Sequence, residues 1–337
     1  MRIFSSICLL ILVAIANAQP QRIEVGTIFP TRQTPVHDPV MIKQDSVYYL
    51  FCTGFGIAVW SSRDMKNWKK EKPVFEKAPE WAVNAIPGYR GHTWAPDISY
   101  YNGQYYLYYS VSAFGKNTSC IGLATNKTLD PASSDFKWVD HGKVIQSIPG
   151  RDMWNAIDPN LAVDENNSAW LVYGSFWNGL KLVKLNSDRL SVAQPEEWYT
   201  VSSRQRSFGI PDTSAGDAAL EAPFIFRKGK YYYLFVSFDY CCRGINSTYK
   251  VVIGRSEKIT GPYLDKDGVP MQKGGGSLLV QGDSEWFGAG HNSAYTFNGK
   301  DYLIYHGYDA KDNGRSKLII KQMSWDANGW PVVDNKE

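Results

Sequence analysis

The sequence has few cysteines, no long apolar run after its first 18 residues and no large excess of basic residues. Only 5 of its 337 residues are cysteine, and no spacing of Cys and His matches a zinc site. Beyond residue 18 no apolar run approaches the ~20 residues of a membrane helix. The 36 Lys and Arg nearly balance the 33 Asp and Glu, leaving a net charge of +3 without a basic block. We therefore expect neither nucleic acid nor a membrane among its partners.

Residues 1–18 have the pattern of a cleavable export signal. Arg2 supplies the positive end, residues 7–15 form a short apolar core, and Ala16-Asn17-Ala18 fits a cleavage site. The remaining chain is expected to be exported to the periplasm or the extracellular medium, and to be a monomer.

Four cysteines follow the signal, at Cys52, Cys120, Cys241 and Cys242. A chain of this length can bury a core large enough to be stable without disulfides. We therefore expect free buried thiols, with a vicinal bridge between the adjacent Cys241 and Cys242 as the alternative.

Aromatic residues are abundant instead, at 14% of the chain with 21 Tyr and 12 Trp, beside 29 Gly. Aromatic strands and glycine turns are typical of all-β proteins, and helical periodicity is weak throughout. Flat rings also stack on the apolar faces of sugars, although tyrosines in strands more often only pack.

A head residue, an apolar strand, a polar turn and an aromatic strand recur five times. The aromatic strand begins 10 or 11 residues after the head, and successive heads lie 57 to 70 residues apart. The heads are Asp38, Ala95, Asp158, Glu221 and His291. Asn102-Gly103 and Asn298-Gly299 predict tight hairpin turns inside these units.

About sixty residues are enough for a four-stranded blade, so we predict an all-β, five-bladed β-propeller. The propeller is expected to form a single domain over residues 25–337. The innermost strands of a propeller line its central channel, so the five heads are expected to meet at one site.

Three of the heads, Asp38, Asp158 and Glu221, are acids at the start of apolar strands. One acid beside a proline is ordinarily a turn or a cap. Burying three together is costly unless they share a chemical task. Asp97 lies two residues past its head and is interpreted as structural.

The motifs together resemble glycoside hydrolase family 43, and within it the α-1,5-L-arabinanases. The resemblance extends over residues 30–334. The motifs are His37-Asp38-Pro39, Trp94-Ala95-Pro96-Asp97, Asn155-Ala156-Ile157-Asp158-Pro159, Gly174-Ser175-Phe176-Trp177 and Glu221-Ala222-Pro223.

The resemblance implies a secreted, inverting, endo-acting hydrolase of α-1,5-L-arabinofuranosidic bonds in arabinan, the side chain of pectin. Asp38 would be the general base and Glu221 the general acid. Asp158 would orient Glu221 and raise its pKa by repulsion between like charges. Inversion predicts a separation of roughly 6.5–9.5 Å between the Asp38 and Glu221 carboxyls.

Two aromatic residues, Trp94 and Phe114, are expected to stack on the sugar. The other expected substrate contacts are His37, Gly115, Asn155, Ser175, Phe176 and Trp177. Relatives of this kind place an ion, expected to be Ca²⁺, in the channel with His291 and mostly water around it. Imidazole is a poor ligand for calcium, so the site should be weak. No organic cofactor is expected.

Three alternatives stay open. The first is an exo-acting arabinanase, and residues 77–92 and 203–219 are the loops that would block one end of the cleft. The second is an arabinofuranosidase or β-xylosidase of the same family. The third, from a different functional class, is a propeller that binds arabinan without cleaving it.

Overall fold

The computed structural model describes residues 23–333, so the predicted export signal lies outside the described residues. This part of the chain forms 22 strands and one short helix, α1 (Glu80–Ala85). It also forms four 3-10 turns, at Thr31–Gln33, Gly244–Asn246, Met271–Lys273 and Ala310–Asp312. Among residues 23–333, no helix has the length and apolar character needed to cross a membrane.

The strands form five antiparallel sheets that follow one another along the chain. Blade 1 contains β1 (Ile28–Pro30), β2 (Val40–Gln44), β3 (Val47–Cys52), β5 (Ala58–Ser62) and β6 (Asn67–Lys70), while β4 (Gly54–Phe55) pairs with blade 2. Blade 2 adds β7 (His92–Tyr101), β8 (Gln104–Val111), β9 (Ser119–Asn126) and β10 (Val139–Ser147). Blade 3 contains β11 (Asn160–Val163), β12 (Ala169–Tyr173), β13 (Leu180–Lys184) and β14 (Trp198–Ser202).

Blade 4 contains β15 (Leu220–Lys228), β16 (Tyr231–Phe238), β17 (Lys250–Ser256) and β18 (Ser277–Gln281). Blade 5 contains β19 (Trp286–Phe297), β20 (Lys300–Asp309), β21 (Arg315–Trp325) and β22 (Pro331–Val333). The innermost strands β2, β7, β11, β15 and β19 are neighbours in a ring, with β19 packed against β2. The prediction of a five-bladed β-propeller is confirmed.

The ring closes without a strand shared between blades 1 and 5, as far as residues 23–333 show. Instead, the Leu318 N–H donates to the Thr34 carbonyl (3.0 Å), and the Ser293 hydroxyl donates to the Pro39 carbonyl (2.8 Å). We refer to this junction between the first and last blades as the closing seam.

The aromatic second strands of the blades form the core. β8 and β16 are buried along almost their whole length, because each face packs against a neighbouring blade. Asn102 and Gly103 have φ values of 48° and 78°, and Asn298 and Gly299 have 51° and 76°. Positive φ at both central residues is typical of tight hairpin turns, as the sequence predicts.

The structure shifts one of the predicted head positions by a single residue. Each innermost strand has a residue with positive φ at an equivalent position, either shortly before the strand or within its first half. These residues are Asp38 (56°), Ala95 (40°), Asp158 (58°), Ala222 (56°) and His291 (49°). The fourth aligned residue is therefore Ala222, and the prediction that Glu221 occupies this position is wrong by one residue. Ala222-Pro223 corresponds to Asp38-Pro39 in the backbone, and Glu221 corresponds to His37.

Asp97 joins the second and third blades from a buried position. Its carboxylate accepts hydrogen bonds from the Asn160 side chain (3.0 Å) and from the Leu161 N–H (2.8 Å). These contacts agree with the structural role expected for Asp97. Burial raises the pKa of Asp97 to about 6, although the two hydrogen bonds lower it.

Asp97 is expected to make the free energy of unfolding fall as the pH rises from about 4 to about 6. The unfolded aspartate releases its proton near 3.8 and the folded one near 6, so the folded state holds more protons in this window. The loss is on the order of 3 kcal/mol. Urea denaturation at several pH values in this range measures the free energy of unfolding of the wild type and of Asp97→Asn. If that free energy changed with pH in the same way in both proteins, the expectation would be contradicted.

Candidate active site

Asp38 is held by donors on both of its carboxylate oxygens. The Thr53 hydroxyl donates to Oδ2, while His37 Nδ1 lies 2.7 Å and His291 Nδ1 lies 2.9 Å from Oδ1. The aspartate itself is only 6% exposed. Burial alone would raise its pKa, but the nearby His291 and His37 outweigh burial and hold the pKa well below the ordinary value. Asp38 is therefore a buried carboxylate that stays ionised.

His291 supplies the positive charge beside Asp38. Burial would lower the pKa of His291, but Asp38, with smaller contributions from Asp158 and Glu221, raises it to about 9. The imidazole is then a cation at neutral pH, with Nδ1–H directed at Asp38.

A calcium ion is poorly matched to the donors around His291. The two groups of three close His, Cys, Asp or Glu donors found among residues 23–333 do not include His291. Its Nδ1 is already bonded to Asp38, whereas calcium takes six to eight oxygen ligands. Side chains alone therefore do not supply a full set of calcium ligands, and the weak, water-rich site expected at His291 stays a prediction.

Glu221 is positioned by two hydroxyl donors. Ser175 Oγ donates to Oε2 (2.7 Å), and Tyr249 OH donates to Oε1 (2.7 Å). The Tyr249 ring packs directly on Gly290, where a Cβ atom would lie 2.4 Å from a ring carbon. Burial and the neighbouring carboxylates raise the pKa of Tyr249, so its phenol remains a donor. Glycine at 290 is thus required for Tyr249 to reach Glu221.

In four blade junctions the N–H of the aligned residue is capped by a side chain of the preceding blade. The bonds are Ala95 N to Thr53 Oγ1 (2.8 Å), Asp158 N to Ser110 Oγ (2.9 Å), His291 N to Ser237 Oγ (2.8 Å) and Asp38 N to His306 Nδ1 (3.1 Å). These four capping side chains lie at equivalent positions, at the end of or just after the second strand of their blades.

The fifth junction uses Asp158 in place of this capping residue. Blade 3 has Gly174 at the capping position, and Gly174 has no side chain that accepts a hydrogen bond. Instead Asp158 Oδ2 accepts the Ala222 N–H at 3.1 Å. Asp158 therefore fixes the backbone immediately after Glu221, which places it as an orienting residue for that acid.

Asp158 also retains a proton more readily than an ordinary aspartate. Burial raises its pKa well above the usual value, the His291 cation opposes this, and repulsion from Glu221 and Asp38 adds to it. The pocket thus combines an ionised carboxylate at Asp38 with a carboxyl at Asp158 that tends to stay protonated. Such a combination supports simultaneous general acid and general base catalysis.

Of the predicted stacking residues, Phe114 is 81% exposed and the neighbouring Gly115 is also exposed. Trp94 is half-buried, and its Nε1 donates to His92 Nδ1 at 2.9 Å. Both rings are accessible to a ligand. Phe176 is likewise half-buried and contacts the Tyr240 ring, with ring centroids 6.1 Å apart.

Trp177 is not available to a sugar, contrary to the sequence prediction. It is 1% exposed, and its Nε1 donates to the Asp212 carbonyl at 2.9 Å, so it anchors the loop at 203–219. Asn155 is buried next to the site, and its Oδ1 has no hydrogen-bond partner in the structure. His37, which was expected to contact the substrate, holds Asp38 through its Nδ1 at 2.7 Å.

Cys241 and Cys242 form a vicinal disulfide, which contradicts the expectation that they are free buried thiols. They lie in the loop between β16 and β17, where Cys242 is exposed and has a φ of 64°. The two sulfurs therefore lie in a surface loop, outside the core, and are bonded to each other. Cys52 and Cys120 are free and buried, as expected.

The loop at 203–219 is ordered by Arg206, and it packs beside the Ser175-Phe176-Trp177 turn. The guanidinium of Arg206 donates to three carbonyls of the same loop, those of Ile210 (2.8 Å), Pro211 (2.7 Å) and Ser214 (2.7 Å). Phe208 projects fully into solvent from this loop. The loop at 77–92 contains α1.

Four residues of the site were not predicted from sequence. They are Thr53, Tyr249, His306 and Tyr308, the last of which has its OH 2.9 Å from His37 Nε2. His306 could have been identified by its spacing, because it follows the aligned residue His291 by 15 positions, just as Ser110 follows Ala95. No comparable spacing marks Tyr249 or Tyr308.

Comparison with known proteins finds relatives that match most of the chain. Residues 29–331 match the sequence profile described as "Glycosyl hydrolases family 43". The extracellular exo-α-(1→5)-L-arabinofuranosidase of Cellvibrio japonicus is 54% identical over 306 residues, covering 91% of this chain and 88% of that protein. The extracellular endo-α-(1→5)-L-arabinanase 1 of Bacillus subtilis is 45% identical over 300 residues, covering 88% and 87%.

A solved structure of similar shape is the Cellvibrio cellulosa α-L-arabinanase in complex with arabinohexaose. It matches with a TM-score of 0.88 and 54% identity, covering 90% of this chain and 96% of that chain.

Proposed function

Because the chain belongs to glycosyl hydrolase family 43, we propose that its three-acid pocket hydrolyses the α-1,5 linkages of L-arabinan with inversion. The observation that carries the proposal is the convergence of Asp38, Asp158 and Glu221 around the His291 cation. A binding propeller without catalysis has no need of three buried acids.

Asp38 is the general base in this proposal. Its low pKa keeps it ionised, and its hydrogen bonds to His37, His291 and Thr53 fix its orientation towards a bound water. The water gives its proton to Asp38 as its oxygen bonds to the anomeric carbon. The His291 cation keeps the carboxylate from being an isolated buried charge.

Glu221 is the general acid, and it protonates the departing glycosidic oxygen. Asp158 accepts the N–H of the neighbouring Ala222 and thereby fixes the backbone that carries Glu221. A separation of roughly 6.5–9.5 Å between the Asp38 and Glu221 carboxyls stays a prediction of the inverting mechanism.

Endo action remains our first hypothesis for the cleavage pattern. The exo alternative is supported by the 54% identical relative, whose name describes an exo-acting enzyme, whereas the 45% identical relative is named as endo-acting. The self-bonded loop at 203–219 is the feature we expect to limit the length of chain that the cleft accepts. Export and a monomeric state are part of the proposal, and extracellular relatives support the first.

Incubation with debranched linear arabinan is expected to release oligosaccharides whose anomeric configuration is first inverted. Proton NMR in the first minutes identifies the anomer, and chromatography over time follows product size. A ladder of sizes indicates endo action, whereas one short early product indicates exo action. A retained anomer would contradict the assigned roles.

Two controls separate this proposal from its alternatives. Xylan and an aryl β-xyloside, tested in parallel, should give no comparable turnover. Binding of arabinan without any product would instead establish the non-catalytic propeller.

A further inference from the structure

Tyr308 connects three parts of the pocket through a single hydroxyl group. The side chain is buried, and three nitrogens lie within hydrogen-bonding distance of its OH. The nitrogens are the Cys242 backbone N (2.7 Å), His37 Nε2 (2.9 Å) and His306 Nε2 (3.2 Å).

The protons in this cluster can be assigned by counting donors and acceptors. His306 Nδ1 accepts the Asp38 N–H, so the proton of a neutral His306 must be on Nε2. Burial holds the pKa of His306 well below its ordinary value, so this ring is neutral. The Cys242 N–H can only donate. These two donors fill both lone pairs of the Tyr308 oxygen.

The hydroxyl proton of Tyr308 must then go to His37 Nε2. A proton on His37 Nε2 would place a third donor on an oxygen that has two lone pairs. His37 Nε2 therefore carries no proton, and the proton of His37 lies on Nδ1, which faces Asp38 Oδ1 at 2.7 Å.

We propose that Tyr308 is a positioning residue, which holds His37 in its Nδ1–H form and thereby orients the base Asp38. The inference rests on the proposed function for its kinetic part, but its structural part does not require a substrate. Tyr308 acts through His37 and does not itself touch the sugar.

The turn with the vicinal disulfide has a part in this arrangement. The Cys242 N–H donates to Tyr308, and Cys242 Sγ lies 3.7 Å from His37 Nε2. The turn therefore occupies one lone pair of the hydroxyl and leaves its proton for His37. Blades 4, 5 and 1 meet at this point.

The first test is the proton position itself in the wild-type protein. Nitrogen-15 NMR of labelled protein at neutral pH distinguishes the two neutral forms of each of the five histidines. We expect opposite forms for two of them, Nδ1–H for His37 and Nε2–H for His306. His37 protonated on Nε2, or on both nitrogens, would overturn the proposal.

The second test is Tyr308→Phe, compared with Tyr173→Phe. Tyr173 is also fully buried, but its hydroxyl has no hydrogen-bond partner, so its loss reports only on packing. Tyr308→Phe is expected to lower kcat about 10-fold to 100-fold with little change in KM, because a misplaced base slows the chemical step. In the NMR spectrum of Tyr308→Phe, His37 should no longer be uniformly in its Nδ1–H form. Tyr173→Phe should change neither kcat nor the protonation of His37.

The outcomes separate this inference from the proposed function. A Tyr308→Phe variant that keeps the kcat of the wild type and the Nδ1–H form of His37 overturns the positioning role and leaves arabinan hydrolysis intact. A wild-type protein without arabinan turnover overturns the proposed function, and the NMR comparison still decides the role of Tyr308.

Discussion

Asp38→Asn is expected to lower kcat on linear arabinan about 1,000-fold, with a much smaller change in KM. The amide keeps the size of the side chain but cannot take a proton from water, and general base catalysis contributes roughly 100-fold to 10,000-fold. Initial rates across substrate concentrations measure both constants. The variant also leaves the His291 cation without its partner carboxylate, so its unfolding temperature should be measured alongside.

Asp97→Asn is the matched control for Asp38→Asn. Asp97 is equally buried and lies on an innermost strand, but its carboxylate accepts hydrogen bonds from Asn160 and Leu161 and makes none within the pocket. It should keep most of the wild-type kcat. Equal losses in the two variants would mean that buried acids in this ring act only through stability, and Asp38 would not be the base.

Glu221→Gln is expected to have an effect of similar size that depends on the leaving group. The amide cannot protonate the glycosidic oxygen, so kcat on arabinan should fall about 1,000-fold. An aryl arabinofuranoside with an acidic phenol as leaving group needs little protonation, so its hydrolysis should fall far less. The measurement is the ratio of the two rates in the wild type and the variant.

Glu165→Gln is a control with a similar local contact outside the pocket. Glu165 accepts a hydrogen bond from Tyr232 (2.9 Å), as Glu221 does from Tyr249 (2.7 Å). Glu165→Gln should leave the rates of hydrolysis of both arabinan and the aryl arabinofuranoside unchanged. If Glu221→Gln slowed both substrates by the same factor, Glu221 would not be the acid, and Asp158 would be the next candidate.

The five-bladed fold could be predicted because its repeat is local. Turn residues and alternating strands mark each blade, and the aligned Asp-Pro and Ala-Pro pairs mark the inner strands. The alignment was wrong by one residue at Glu221, because the fourth unit was counted from its acid, as the first and third units were. A backbone with positive φ at Ala222 is not visible as such in the sequence, since alanine rarely adopts it.

The contacts within the pocket could be predicted only in part. That Asp158 fixes the backbone beside Glu221 follows from the missing side chain at Gly174, which is evident once the blades are superimposed. Trp177 was expected among the substrate contacts, yet its ring is buried and anchors the loop at 203–219. Sequence spacing cannot tell whether an aromatic ring in a turn faces the cleft or the core.

The closing seam has a consequence for the way the protein loses activity. Asp38 lies at the edge of blade 1, and three of the groups around it, His291, His306 and Tyr308, belong to blade 5. Asp38 and these three groups thus belong to the first and last blades of the chain, and no strand within residues 23–333 is shared between the two blades. A slight separation of blades 1 and 5 would disrupt the surroundings of Asp38 while every sheet remained folded. We therefore expect activity to be lost on heating before the sheets unfold.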